Sequence, residues 1–141
     1  MLKTIIVALD SSELSQRVIQ SLEELQIRPS TKIILSHVIP DAESDMEMVV
    51  DRPHISEELF YRNIEKQLQS YQAELTCDSE LEIVNGDAAV EIVRLAHIHQ
   101  ADLIVIGTRG LTGLKRVLQG SVSSQVVADA PCSVLVVKLN S

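Results

Sequence analysis

Five short runs rich in Ile, Leu and Val punctuate the chain, the first of them almost unbroken, and their apolar residues mostly stand side by side rather than alternating with polar ones. They are Leu2 to Leu9, Lys32 to Val38, Leu81 to Val84, Leu103 to Ile106 and Ser133 to Val137. A strand with one wet face reads as a period of two, so continuous runs belong to strands covered on both faces, the condition of a parallel sheet. Between the runs the apolar residues recur at helical spacing. Leu14, Val18, Leu22 and Leu25 occupy the first interval, up to Pro29. Phe60, Ile64, Leu68, Tyr71 and Leu75 occupy the second, after Ser56 with Glu57 and Glu58 in a first turn. Ala89, Ile92, Val93 and Ala96 occupy the third, behind an Asn85-Gly86 turn signal and an Asp87 cap. A last helix runs from about Ser121 to Asp129 and stops before Pro131.

Strands and helices thus alternate strictly. Right-handed crossovers convert that order into a doubly wound, Rossmann-like α/β domain of five parallel strands and four helices. With 141 residues and no repeat or linker, residues 1–141 form a single domain. The aromatic fraction is 2% against an apolar fraction of 45%, so the core is aliphatic. Scarce aromatics speak against the stacking platforms of single-strand nucleic-acid binding. A net charge of −8 repels nucleic acid and anionic membrane alike. Any anionic ligand therefore needs a local positive pocket. The opening MLKTIIVALDSS is not a secretory leader, and no segment has the length of a membrane span. Cys77 and Cys132, in unrelated contexts, read as reduced thiols of a cytoplasmic protein.

Doubly wound sheets bind ligands beyond the carboxyl ends of their strands. The segment after the fourth run is GTRGLTGLKRVLQGSVSS, where Gly107, Gly110, Gly113 and Gly120 fall within fourteen residues of a chain that has five glycines. Glycine lets backbone amides approach a ligand closely, and successive amides form a nest for phosphate oxygens. Gly120 and Ser121 open a helix whose unpaired N–H groups also favour an anion. Ser121 and Ser123 add hydroxyls, while Arg109, Lys115 and Arg116 supply the positive pocket. A glycine-shaped turn with solvated basic residues is the blander reading.

The stretch DLIVIGTRGLTGLKRVLQGSVSSQVVADAPCSVLVV closely resembles the universal stress protein family. Nucleotide-binding members carry G-x-x-G, nine intervening residues, then G-S or G-T. Gly107, Gly110, Leu111 to Gln119, Gly120 and Ser121 match it in full. The likeness extends to the opening IIVALDSSELS, the SHV of the second run and the Gly86-Asp87 turn. It implies a strand order of 3-2-1-4-5 and an adenine nucleotide as ligand: ATP, with AMP and cyclic AMP as alternatives and Mg2+ as a companion of the phosphates. It further implies that Ala8, Leu9 and Asp10 border the adenine and ribose, that Val38 forms an apolar wall, that Gly107 lies near the ribose, and that Gly110, Gly120, Ser121, Val122 and Ser123 lie near the phosphates. Asp10 suits two ribose hydroxyls, and with Glu13 it also suits a helix cap. The function implied is a nucleotide-dependent switch or sensor in stress response. The family likeness also implies a homodimer paired along Ser133 to Val137, with an unidentified protein partner.

Other features point away from catalysis. There is no G-x-S-x-G elbow, no P-loop and no Rossmann G-x-G-x-x-G. With no evident base to orient water, at most slow ATP hydrolysis is expected. A slow ATPase and a nucleotide-independent dimeric scaffold are the competing readings. His97 and His99, two apart on a helix, point to different faces and read as surface residues rather than metal ligands. His37 reads as a packed, hydrogen-bonded histidine. The acidic segment Asp41 to Pro53 reads as a solvated loop, with a fold over the ligand as the alternative.

Overall fold

The computed structural model describes residues 2–10, 15–39, 57–109 and 122–139. Its strands are β1 (Thr4–Ala8), β2 (Lys32–Ile39), β3 (Ser79–Asn85), β4 (Leu103–Arg109) and β5 (Ser133–Leu139). Helices α1 (Ser15–Glu24), α2 (Glu57–Gln72), α3 (Ala88–Ile98) and α4 (122–129) alternate with them. All strand pairings are parallel, and the sheet runs β3-β2-β1-β4-β5. The five-stranded, four-helix doubly wound fold expected from sequence is what these residues form.

Strand register divides the core in two. Ile5 pairs with Ile33 and Leu103, and Ile6 with Ile34 and Ile104, so odd positions share one face and even positions the other. Odd residues Ile5, Val7, Ile33, Leu35, Leu103 and Val105 pack against Val18, Ile19 and Leu22 of α1 and Ile64, Leu68 and Tyr71 of α2. Even residues Ile6, Ile34, Ile104 and Ile106 pack against Ala89, Ile92, Leu95 and Ala96 of α3 and Val126 of α4. Ile5, Ile6 and Val7 are each 0% exposed, which explains why these central positions of β1 carry no polar residue.

Several boundaries differ from the sequence expectation. β1 starts at Thr4 rather than Leu2, since Leu2 lies exposed beyond the sheet. β3 and β5 are longer than their apolar runs because backbone pairing continues through Ser79 and Glu80 and through Lys138 and Leu139. Backbone pairing is indifferent to side-chain polarity, and edge strands tolerate charge. α1 stops at Glu24, where the Leu25 and Gln26 amides turn back to Leu22 and Glu23 and Gln26 takes φ 51°. α2 ends at Gln72, so Leu25 and Leu75 pack on the core from outside their helices. Phe60, expected on the core stripe, is 48% exposed, because α2 meets the sheet only from Ile64 onward. In α3 Val93 is half-buried and Leu95 is the larger core contributor.

At the amino ends of the strands, Asp102 ties β4 to β1. Its Oδ2 accepts the Lys3 and Thr4 amides at 2.8 and 3.0 Å, and its own amide donates to the Thr4 carbonyl. Hydrogen bonds from Thr4 and Lys3 hold this carboxyl below its ordinary 3.8. A group with a depressed folded pKa contributes stability above its unfolded value, and that contribution fades as pH falls through the folded value. Asp102→Asn should therefore lower the urea midpoint at pH 7. The gap from the parent should close as pH falls below the ordinary carboxylate range.

Candidate functional site

Strand order reverses between β1 and β4: the chain winds one way from β1 through β2 to β3, and the other way from β4 to β5. At such a point two neighbouring strands send their following segments in opposite directions, leaving a crevice at their carboxyl ends. Ala8, the last residue of β1, is registered with Ser36 and Ile106. Leu9 and Asp10 follow immediately. Leu9 is buried in the core on the α1 and α2 face, so it offers the crevice its backbone, while Asp10 is exposed.

On the opposite face lie the other expected lining residues. Ala8 and Val38 pack on the α3 and α4 cluster together with Val84 and Val122. Val122 and Ser123 stand in the first turn of α4, with Val122 half-buried and Ser123 buried. Sequence positions 8, 38, 122 and 123 are thus gathered on one side of the sheet. Gly107 and Arg109 were expected in the loop; both belong to β4, paired in register with Val137 and Leu139. β5 continues far enough to hold them in the sheet. Gly110, Gly113, Gly120 and Ser121, with Lys115 and Arg116, fall outside the described residues, as do Glu13, Leu14 and the acidic segment Asp41 to Pro53.

Three groups, the Ser36 carbonyl, the His37 ring and the Ser15 hydroxyl, fix the turn that leaves β1. The Leu9 amide donates to the Ser36 carbonyl at 2.9 Å. His37 Nδ1 lies 3.0 Å from the Leu9 carbonyl oxygen. Because a carbonyl only accepts, the ring must carry its proton on Nδ1. Ser15 Oγ lies 2.6 Å from the Asp10 carbonyl oxygen and 3.1 Å from Asp10 Oδ1, so one hydroxyl proton serves both. Burial lowers the His37 pKa, opposed by the bond to Leu9 and by the charge of Asp10. The imidazole is therefore neutral near pH 7.

Sequence inspection placed His37 correctly as a packed histidine but did not single out Ser15. A signal was present. Ser15, Val18, Ile19 and Leu22 follow i, i+3, i+4, i+7 spacing, so Ser15 occupies the apolar stripe of α1 and is 2% exposed. A hydroxyl on a core stripe has to find a partner. His99 is half-buried and lies 3.2 Å from Glu82, while His97 is exposed. Among the described residues no group of three His, Cys, Asp or Glu is placed to hold a metal ion, and no helix is long and apolar enough to cross a membrane.

Comparison with known proteins points to one family. The model of the universal stress protein family matches residues 1–138. The universal stress protein Sll1388 of Synechocystis sp. is 30% identical, over 95% of this chain and 96% of its own. A 57-residue stretch is 54% identical to the universal stress protein MJ0531 of Methanocaldococcus jannaschii, covering 40% of this chain and 34% of that one. Among solved structures, the hypothetical protein MJ0577 superposes with a TM-score of 0.79 at 28% identity, over 98% of this chain and 96% of its own.

Ser15→Ala removes the hydroxyl and leaves the Asp10 carbonyl with one partner fewer. Loss of a single ordinary hydrogen bond corresponds to about 1 kcal/mol. Chemical denaturation should show a lower midpoint of that order with an unchanged m-value.

Proposed function

The chain belongs to the universal stress protein family, and from that premise we propose that it binds an adenine nucleotide, ATP foremost, at the carboxyl ends of β1 and β4. The observation that supports this reading is that Ala8, Val38 and Val122 pack in one cluster beside the strand-order reversal, with Asp10 two residues past β1, Gly107 next to Ile106 on β4 and Ser123 next to Val122 in α4. Ala8 and Val38 supply apolar surface for a base, and the Asp10 carboxylate is suited to two ribose hydroxyls. The spaced motif Gly107, Gly110, Gly120, Ser121 begins on β4 and ends at the start of α4. Amides at a helix start, with the dipole behind them, favour phosphate. Val122 packs into the core, so its amide rather than its side chain serves the phosphates.

The protein acts as a nucleotide-dependent switch rather than as an enzyme. His37 beside the turn is 7% exposed and lies on the α1 and α2 face, opposite Ala8 and Val38, so its imidazole is not offered to a water in the crevice. Hydrolysis is at most slow. Any Mg2+ accompanies the ATP phosphates.

Its setting is the cytoplasm and its form a homodimer joined along β5, offering a surface to a protein partner. The two sheet edges differ in a way that favours this. Edge strand β3 carries Glu80, salt-bridged to Lys32, and Glu82, paired with His99. Edge strand β5 presents Val136, 36% exposed, among half-buried Val134, Leu135 and Val137. Charge on an edge blocks further pairing, and apolar side chains invite it.

ATP at about one hundred times its dissociation constant should stabilise the fold by about 2.7 kcal/mol, read as a rise in melting temperature. Asp10→Ala should weaken binding in calorimetry by at least about tenfold, the scale of a hydrogen bond to a charged group. Gly120→Val should abolish it. Titrations with AMP and cyclic AMP rank the nucleotides. A melting temperature indifferent to all three ligands would overturn the reading and leave a scaffold. Rapid multiple-turnover phosphate release, lost in Asp10→Ala, would convert it to a hydrolase.

A further inference from the structure

The residues that would touch a nucleotide are only part of what the crevice needs. Asp10 is two residues beyond the end of β1, where the sheet no longer dictates backbone direction. In a continued parallel ladder the Leu9 carbonyl would accept from the Val38 amide. The His37 ring reaches that carbonyl from the side chain of β2, just after Ser36 has taken the Leu9 amide. Two successive residues of β2, one through its carbonyl and one through its imidazole, therefore clamp both polar groups of Leu9. Ser15 clamps the next carbonyl, that of Asp10, from α1. His37 is 7% exposed and on the face opposite Ala8 and Val38, so it stands behind the crevice rather than in it.

We propose that His37 is a positioning residue for ligand binding: its Nδ1–H holds the Leu9 carbonyl so that the Asp10 carboxylate is aimed at the crevice before the nucleotide arrives. This rests on the nucleotide reading of the site. Holding a binding group in place beforehand removes an ordering cost that the ligand would otherwise meet. Burial keeps the ring neutral, and Nδ1 is the nitrogen whose proton the Leu9 carbonyl requires. Only a donor at the Nδ1 position satisfies the geometry.

Two substitutions separate this role from packing. His37→Asn retains an N–H close to where Nδ1 stands but loses ring volume. His37→Leu fills the space better and donates nothing. A packing role ranks leucine above asparagine, whereas a positioning role ranks them the other way for affinity. The experiment is ATP calorimetry on the parent and both variants, together with amide exchange at Leu9 and Asp10 in the unliganded proteins. His37→Leu should bind about tenfold more weakly, the ratio that corresponds to one lost hydrogen bond. Its Leu9 and Asp10 amides should exchange faster. His37→Asn should stay within about threefold of the parent in affinity even where its melting temperature is lower. Leucine and parent binding alike, or both variants weakened equally, overturns the proposal. If the parent itself binds no nucleotide, it is the function reading that fails. The exchange data then decide independently whether His37 holds the turn: unchanged rates in His37→Leu would dispose of that as well.

Discussion

Everything in this molecule is arranged around the burial of β1. Ile5, Ile6 and Val7 have no contact with solvent, and the strand is paired on both edges, with β2 and with β4. A strand in that position has no free edge and no wet face. Helices have to cover both sides, and the crossovers that carry them force the neighbouring strands to run parallel. The same burial determines where chemistry is possible. Beyond Thr4, polar side chains are excluded from β1, so the first exposed carboxylate on its path, Asp10, appears only after the strand has ended. The crevice between β1 and β4 is the place where the burial constraint is first released.

Most of the architecture was legible in the sequence because continuous aliphatic runs and helical spacing are both consequences of that burial. What escaped was whatever burial does not control. β3 extends through Ser79 and Glu80, and β5 through Lys138, since an edge strand keeps its hydrogen bonds while its side chains are free to be charged. Phe60 fits the helical stripe of α2 yet lies outside the contact with the sheet. Gly107 and Arg109 read as loop residues beside a glycine motif, but β5 pairs with them. The strand order itself came from family resemblance, since alternation of elements alone is compatible with more than one doubly wound arrangement.

At the candidate site, the residues that stand out in the sequence are those of unusual type or spacing: the glycines, most of which lie outside the described residues, Asp10 and the Ser123 hydroxyl. The supporting residues were harder. Ser15 and His37 look ordinary in sequence, and their significance lies in the acceptors they meet, the carbonyl and carboxylate of Asp10 for Ser15 and the carbonyl of Leu9 for His37. Such partners depend on how far β1 runs before it turns, which no local pattern records. The result is a division of labour. Exposed groups at the crevice are advertised by composition, and the buried groups that hold the backbone behind them become visible only once the chain is folded.

The odd and even faces of the sheet carry a further implication for how such a chain can vary in length. In β1, β2 and β4 alike, odd residues serve the core beneath α1 and α2 and even residues serve the one beneath α3 and α4. Inserting or deleting one residue inside any of these strands would trade its two sets of side chains and spoil both cores together. Gain or loss of residues is tolerable only in the connections. Those at the carboxyl edge are the ones that meet a ligand, so in this architecture the freedom to diversify recognition and the freedom to change length reside in the same few segments.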